Sequence, residues 1–308
     1  MNLPAGYVAR PADWDDLDGI VEVFKACDLA DVGFEDPVRE HVEEEWRAPT
    51  FDLTRDSRVV VAGGPIVAYG CVSGLNPMLS LEVFGRVHPD HRGRGLGAAL
   101  VVWGESHART LSPNVLVVRN GVPVEDGSAS RLLERAGYVL ARTFWVMTRD
   151  LTDPVEEVPE PTGVRIRPYN HAADVRPVHD ALEEAFVEHW GFEPFPYDFH
   201  EGELAHTDPR LVAVAETDGG IVGAAIAKAV EGTGWVDVVG VRAPWRGRGV
   251  ARALLLREFA ALAELGMPVA SLNVDAENTT GATRLYESAG MRVRRAWSIF
   301  EKQAGRLG

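Results

Sequence analysis

Two stretches decide the fold. Residues 87–100 read Val87-His88-Pro89-Asp90-His91-Arg92-Gly93-Arg94-Gly95-Leu96-Gly97-Ala98-Ala99-Leu100, and residues 241–254 read Val241-Arg242-Ala243-Pro244-Trp245-Arg246-Gly247-Arg248-Gly249-Val250-Ala251-Arg252-Ala253-Leu254. Each runs from an apolar strand end through a turn and an Arg-Gly-Arg-Gly run into residues with helical apolar spacing. They lie 154 positions apart. Arg131–Gly137 matches Arg284–Gly290, Ile66-Val67 matches Ile221-Val222, and Arg10-Pro11 matches Arg167-Pro168, all in order and at nearly that offset. Such self-similarity means one fold used twice, and 308 residues suits two domains of about 150 residues.

The expected division is therefore residues 1–150, a linker over 151–163, and residues 164–308. The linker segment Asp153-Pro154-Val155-Glu156-Glu157-Val158-Pro159-Glu160-Pro161 has the prolines and carboxylates of an extended connection. Each copy reads as a strand (Tyr7–Arg10; Val164–Arg167), a helix, a hairpin, and a strand entering the glycine turn. A helix (Gly95–Thr110; Gly249–Leu265), a strand (Val115–Val118; Val269–Val274) and a short helix (Ser128–Ala136; Thr279–Ala289) follow. A last strand (Thr143–Thr148; Arg295–Glu301) is expected to close each copy. This order predicts an α/β class of α+β character, with a mixed, largely antiparallel sheet and one parallel crossover per copy. A dinucleotide domain is excluded, because its G-x-G-x-x-G belongs in the first βα unit, and no G-K-[ST] marks a P-loop.

Composition narrows the function. Lys+Arg number 31 against 46 Asp+Glu, a net charge of −15, so a nucleic-acid partner is not expected. The longest apolar run, Val59 to Val72, is broken by Gly63-Gly64-Pro65 and is too short for a membrane span. With two cysteines, Cys27 and Cys71, no disulfide framework forms. No secretory leader pattern opens the chain, and a reducing, cytoplasmic setting is expected. No histidine cluster has metal-ligand spacing: His88-Pro89-Asp90-His91 lacks a further ligand.

A glycine turn opening a helix aims unsatisfied N–H groups and the positive end of the helix dipole at an anion. Arg92, Arg94, Arg246 and Arg248 flank that point and are placed for charge-assisted contacts to a diphosphate. The alternative is a surface turn with solvated arginines, which duplication at the same point of both copies disfavours.

On these residues, Arg92-x-x-Gly95-x-Gly97 and Arg246-x-x-Gly249-x-Ala251 resemble the acyl-CoA signature of the GNAT superfamily of N-acyltransferases, in tandem. The resemblance implies acetyl-CoA as acyl donor. Its pyrophosphate would lie on Arg92, Gly93, Arg94, Gly95, Leu96 and Gly97, or on Arg246, Gly247, Arg248, Gly249, Val250 and Ala251. Its pantetheine would pair near Val87 or Val241. By the same resemblance Asn278 touches the pantetheine arm and Tyr286 protonates the leaving thiolate, which a phenol can do. Tyr286 also fits an apolar helix stripe with Ala282, Leu285 and Ala289. Copy one carries Leu133 at the matching place, so its chemistry is expected to be degenerate and copy two catalytic.

Attack by an amine needs a proton acceptor. Asp237 is the candidate in copy two. Glu82, in the corresponding strand of copy one, is one residue out of register, which by strand alternation turns it to the other face. The acceptor is expected near Glu188, His189 and Trp190, within an aromatic stretch (Phe186–His200) that covers the core or lines a pocket. The matching segment of copy one, Glu35 to Arg47, reads as a solvated helix face. The resulting expectation is acetyl transfer from acetyl-CoA to the primary amine of a small molecule or peptide. The rival is a non-catalytic acyl-CoA-binding regulator, disfavoured by Tyr286 and Asn278. The two-copy arrangement resembles that of the mycothiol synthases, although no residue identifies their acceptor.

Overall fold

In a computed structural model, all residues are described except 37, 75–79, 113–114, 157–159, 195, 231, 279 and 305–308. Residues 157–159 of the expected linker, Phe195 of the aromatic stretch and Thr279 at the start of the last helix thus lie outside the described residues. The elements are β1 (Tyr7–Arg10), α1 (Leu17–Asp31), α2 (Arg39–Arg47), α3 (Leu53–Asp56), β2 (Ser57–Ala62), β3 (Ile66–Ser73), β4 (Ser80–Val87), α4 (Leu96–Leu111), β5 (Val117–Pro123), α5 (Gly127–Arg135) and β6 (Val139–Asp150). They continue with β7 (Arg165–Pro168), α6 (His171–Phe186), α7 (Tyr197–His206), β8 (Val212–Thr217), β9 (Gly220–Val230), β10 (Thr233–Val241), α8 (Val250–Glu264), β11 (Val269–Asp275), α9 (Ala282–Ser288) and β12 (Arg292–Gln303).

Two compact units result: Met1–Phe144 with Arg295–Gly308, and Trp145–Arg294. The strand order in unit 1 is β1-β2-β3-β4-β5-β12, and in unit 2 it is β7-β8-β9-β10-β11-β6. In each, one pair is parallel (β4–β5; β10–β11), while β1–β2, β2–β3, β3–β4, β5–β12, β7–β8, β8–β9 and β9–β10 are antiparallel, the mixed sheet expected. The closing strands differ from expectation. Arg295–Gln303, the chain's last strand, belongs to unit 1, where Trp297 to Gln303 pair with Pro123 to Val117. Unit 2 is closed by the second half of β6, from Trp145 on. The repeat specifies that each sheet ends in a strand, but two strands of like pattern carry no label for which sheet each joins.

Alternation along β3 sets the layers of unit 1. Tyr69 is fully buried with Phe24 of α1 and Trp46 of α2, and Trp46 Nε1 donates to the Tyr69 hydroxyl at 2.9 Å. A Cβ on its neighbour Gly70 would meet Leu100 of α4 at 2.9 Å. The sheet is thus covered by α1–α2 on one face and α4 on the other. Unit 2 repeats this, since Gly240 abuts Leu182 and Phe186 of α6, while Gly234 abuts Leu262 of α8. The solvated-face reading of Glu35–Arg47 does not hold: α2 buries Val42 and Trp46 in the core of unit 1. Two apolar residues four apart suffice to seat one helix face, and the acidic residues between them masked that stripe.

Candidate active site

The two glycine turns fold alike. Gly95 and Gly249 cap α4 and α8 in the left-handed region, at φ 84° and 82°, where a side chain costs roughly 1–2 kcal/mol. A Cβ at either would meet nothing within 4 Å, so the first N–H groups of each helix face open space. Those groups have no intrahelical acceptor, and the glycines let a ligand approach the backbone closely. Leu96 and Val250 are buried as the first helical residues and anchor each turn to its core. Gly93, Gly97, Gly247 and Ala251 leave the rest of each turn narrow. A diphosphate fits this donor set.

The four arginines divide into two kinds. Arg92 donates from Nε to the Val87 carbonyl (3.1 Å) and bidentately to Asp31 (2.6 and 2.8 Å). Arg246 donates from Nε to the Val241 carbonyl (3.0 Å) and also to the Ala185 carbonyl (2.9 Å) and Glu188 (3.1 Å). Both bind the turn to the strand before it. Arg94 is exposed and donates to the Tyr7 hydroxyl and the Asp90 carbonyl, each at 2.9 Å. Arg248 stacks on Trp245, 4.9 Å from its centroid.

In both units the parallel strands part beside the turn. β4 and β5 pair only over Ser80–Glu82 with Val117–Arg119. Beyond that point a cavity of about 340 Å³ opens in unit 1 between residues 83–87 and 120–123 and reaches Gly95, Gly97, Asp126 and Leu133. Its lining includes Phe84 and Arg86 from the α1 face and Val83 and Val87 from the α4 face, so the gap passes through the sheet. In unit 2, β10 and β11 pair at Gly234–Ala270 and Trp235–Ser271, and β10 bulges between Val236 and Val238.

The bulge changes the reading of the two carboxylates. One extra residue in β10 absorbs the register offset. Asp237 ion-pairs with Lys228 (3.3 Å), which also reaches Glu203 of α7 (3.5 Å). Glu82 alternates with Val83, a core residue on the α4 side, and shares its face with Phe84, which packs on Phe24 of α1. Asp237 on the α6–α7 side and Glu82 on the α1–α2 side thus occupy corresponding faces, not opposite ones.

Around the second turn, Glu188 reaches Arg246, and His189 stacks on Phe186 at 4.4 Å with its imidazole pKa lowered by burial. Trp190 is half-buried beside them in sequence. Asn278 Oδ1 accepts from the N–H groups of Thr280 (2.8 Å) and Ala282 (3.4 Å), stapling the loop before α9. Asp126 instead caps α5 itself, accepting from the N–H groups of Ser128 and Ala129 inside that helix, whereas the cap of α9 is Gly281, without a side-chain hydrogen bond; both helices have a short polar residue ahead of them in sequence. Tyr286 is 9% exposed and lies in the core with Leu255 and Phe259; burial pushes its phenol up to about 12. Among the described residues there is no group of three or more metal-ligating side chains, and no helix is long and apolar enough to cross a membrane. Cys27 and Cys71 are buried free thiols.

An anion cradled by backbone at a helix start, beside a strand edge left open for an extended arm, is the task of an acyl-CoA-dependent acyltransferase, the class this fold and site define. Comparison with known proteins agrees: residues 175–291 match the acetyltransferase (GNAT) family, and the chain belongs to that family. It is 35% identical over 216 residues to the mycothiol acetyltransferase of Thermobispora bispora, covering 66% of this chain and 70% of that one. The mycothiol acetyltransferase of Salinispora tropica is 30% identical over 276 residues, 83% of each chain. Among solved structures, a GCN5-related N-acetyltransferase from Sphaerobacter thermophilus superposes with a TM-score of 0.89 at 35% identity, covering 98% and 97% of the two chains. A tandem GNAT protein from the clavulanic acid biosynthesis pathway shares the fold at 16% identity, with a TM-score of 0.72. The family's acyl donor is acetyl-CoA, and the turns at Gly95 and Gly249 fit it.

Proposed function

We propose that this protein transfers an acetyl group from acetyl-CoA to a primary amine of a small molecule or peptide by direct attack, with the chemistry in unit 2. The observation that carries this reading is the meeting of Glu188 and Arg246 at 3.1 Å, which joins the segment expected to grip the acceptor to the turn expected to hold the donor's diphosphate. The turn binds the pyrophosphate through the first N–H groups of α8, with Arg248 beside it. Asp237 accepts the ammonium proton, directly or through a water, and Lys228 holds its carboxylate in place. Tyr286 stays protonated at neutral pH and supplies a proton to the departing sulfur. The relatives' name assigns mycothiol chemistry to those proteins; for this chain the proposal commits to the amine class. The test is CoA-thiol release over a panel of primary amines, with Tyr286→Phe compared to the unsubstituted chain. Amine-dependent release that this substitution lowers supports the reading, and release it leaves untouched removes Tyr286 from the chemistry.

A further inference from the structure

Unit 1 holds a buried arginine that an anion at the glycine turn does not account for. Arg86 lines the cavity between β4 and β5 from the α1 face, whereas the turn opens α4 on the other side of the sheet. Its Nη2 and Nη1 lie 3.6 Å from Asp28 and from Asp31, too far for a hydrogen bond. Those acids are engaged elsewhere: Arg295 donates to Asp28 at 2.7 Å, and Arg92 to Asp31 at 2.6 and 2.8 Å. Among the described residues the Arg86 guanidinium has no hydrogen bond. Phe84 and Trp297 flank it, their ring centroids 5.8 and 5.0 Å away.

A buried charge is costly unless it is paired and hydrogen-bonded, and burial pulls the Arg86 pKa below the ordinary arginine value against the opposing charge of Asp28. The charged side chains lining the cavity are Arg86, Arg92 and Arg135 against Asp126, whose carboxylate is occupied as the cap of α5. Such a lining favours an anion. Unit 2 differs at the same place. The residue matching Arg86 is Gly240, 154 positions on, and a Cβ there would meet Leu182, Phe186 and Ala185 of α6 at 2.6, 3.0 and 3.3 Å. Thus α6 covers that point of its sheet with apolar side chains, while α1 sets Asp28 and Asp31 beside Arg86 and leaves the guanidinium on the cavity.

We infer that the unit 1 cavity is a carboxylate-selective acyl-CoA site, in which Arg86 holds a carboxylate on the α1 face while the turn at Gly95 holds the diphosphate on the α4 face. The carboxylate arrives either as the end of the acyl chain of a dicarboxylic thioester or as a separate small carboxylic acid beside the thioester. Arginine suits both, because its planar fork of N–H donors matches the two carboxylate oxygens. The inference rests on the reading that the Gly95 turn binds acyl-CoA. It does not rest on acetyl transfer in unit 2, where Gly240 leaves no counterpart of Arg86. Unit 1 therefore selects its ligand by a charge that unit 2 lacks at that position.

The experiment uses the full chain carrying Gly249→Glu, which fills the open space at the turn of unit 2 and leaves unit 1 to be read alone. Calorimetric titration compares succinyl-CoA with butyryl-CoA, an acyl chain of equal length without the carboxylate, and acetyl-CoA with and without free succinate. Succinyl-CoA is expected to bind about tenfold more tightly than butyryl-CoA, or succinate to tighten acetyl-CoA by about that factor. The first result places the carboxylate on the acyl chain, the second on a separate acid. Arg86→Gln is expected to abolish the preference and to leave butyryl-CoA binding unchanged. Where melting curves show that this variant does not fold, Arg86→Lys, which keeps the charge without the fork, is expected to reduce the preference severalfold. Equal affinities for the two thioesters, with no effect of succinate, overturn the inference and leave the Gly95 turn as an acyl-CoA site. A preference untouched by either Arg86 substitution also overturns it. Binding of none of the thioesters overturns both the inference and the acyl-CoA reading of unit 1, whereas amine-dependent release by the unsubstituted chain reports on unit 2 separately.

Discussion

Arg92 Nε donates to the carbonyl of Val87 at 3.1 Å, and the same bond recurs between Arg246 and Val241 at 3.0 Å. The first arginine of each signature is thus a brace between strand and turn, and in the proposed function the diphosphate falls to the backbone and to the second arginine.

That division makes a prediction. Arg92→Ala leaves Asp31, whose side chain is 5% exposed, without its bidentate partner and is expected to destabilise by about 2–3 kcal/mol. Arg94→Ala is expected to leave the melting temperature unchanged and to weaken acetyl-CoA binding severalfold. Melting curves and calorimetric affinities for both variants decide this; equal affinity losses without destabilisation by Arg92→Ala contradict it.

A buried network ties the last strand into unit 1. Arg295 donates to Asp28 at 2.7 Å and to Asp36 at 2.5 Å, and stacks on Trp297 at 4.5 Å. Arg295→Ala removes the shorter of the two arginine contacts of the buried Asp28, leaving Arg86 at 3.6 Å, and is expected to cost about 2–3 kcal/mol, read as a shifted urea midpoint. A midpoint within experimental error of the unsubstituted chain contradicts the placement of β12.

Glu258 on α8 is fully buried, its two oxygens lack a well-formed hydrogen bond, and burial raises it to about 8. Its ordinary value is about 4.3, so folding binds a proton between these limits. This contribution to stability is fully present below about pH 4.3 and is lost as pH rises through 8. Glu258→Gln is expected to flatten the fall in melting temperature between pH 5 and 8 and to stabilise by on the order of 3 kcal/mol at pH 8. Parallel curves for the two proteins contradict it.

Tyr286→Phe removes the proposed proton donor with little change in packing. A fall in kcat of roughly 10²-fold is expected, with KM for acetyl-CoA nearly constant. A rise in KM at constant kcat assigns the hydroxyl to binding instead.

The sequence carried the fold well because Arg-Gly-Arg-Gly is a local pattern with a local consequence: glycine at φ 84° and 82° caps a helix whichever sheet lies behind it. The doubled fold followed from spacing alone. The destinations of β6 and β12 were not legible, since the contact that decides them, Arg295 with Asp28, joins residues 267 positions apart. The bulge at Asp237 was hidden for a related reason: one inserted residue leaves the composition of the strand unchanged while turning its side chains. Glu45 read as part of a solvated helix face, and only the packing of α2 against β3 shows that helix seated on the core.

Acetyl transfer to nitrogen is the proposed activity. Incubating the full chain with isotopically labelled acetyl-CoA and a primary-amine panel, then following the label by mass spectrometry, tests it most directly. Label is expected on an amine nitrogen in step with thiol release. Label found only in unreacted acetyl-CoA or free acetate, with acetyl-CoA bound, would contradict it.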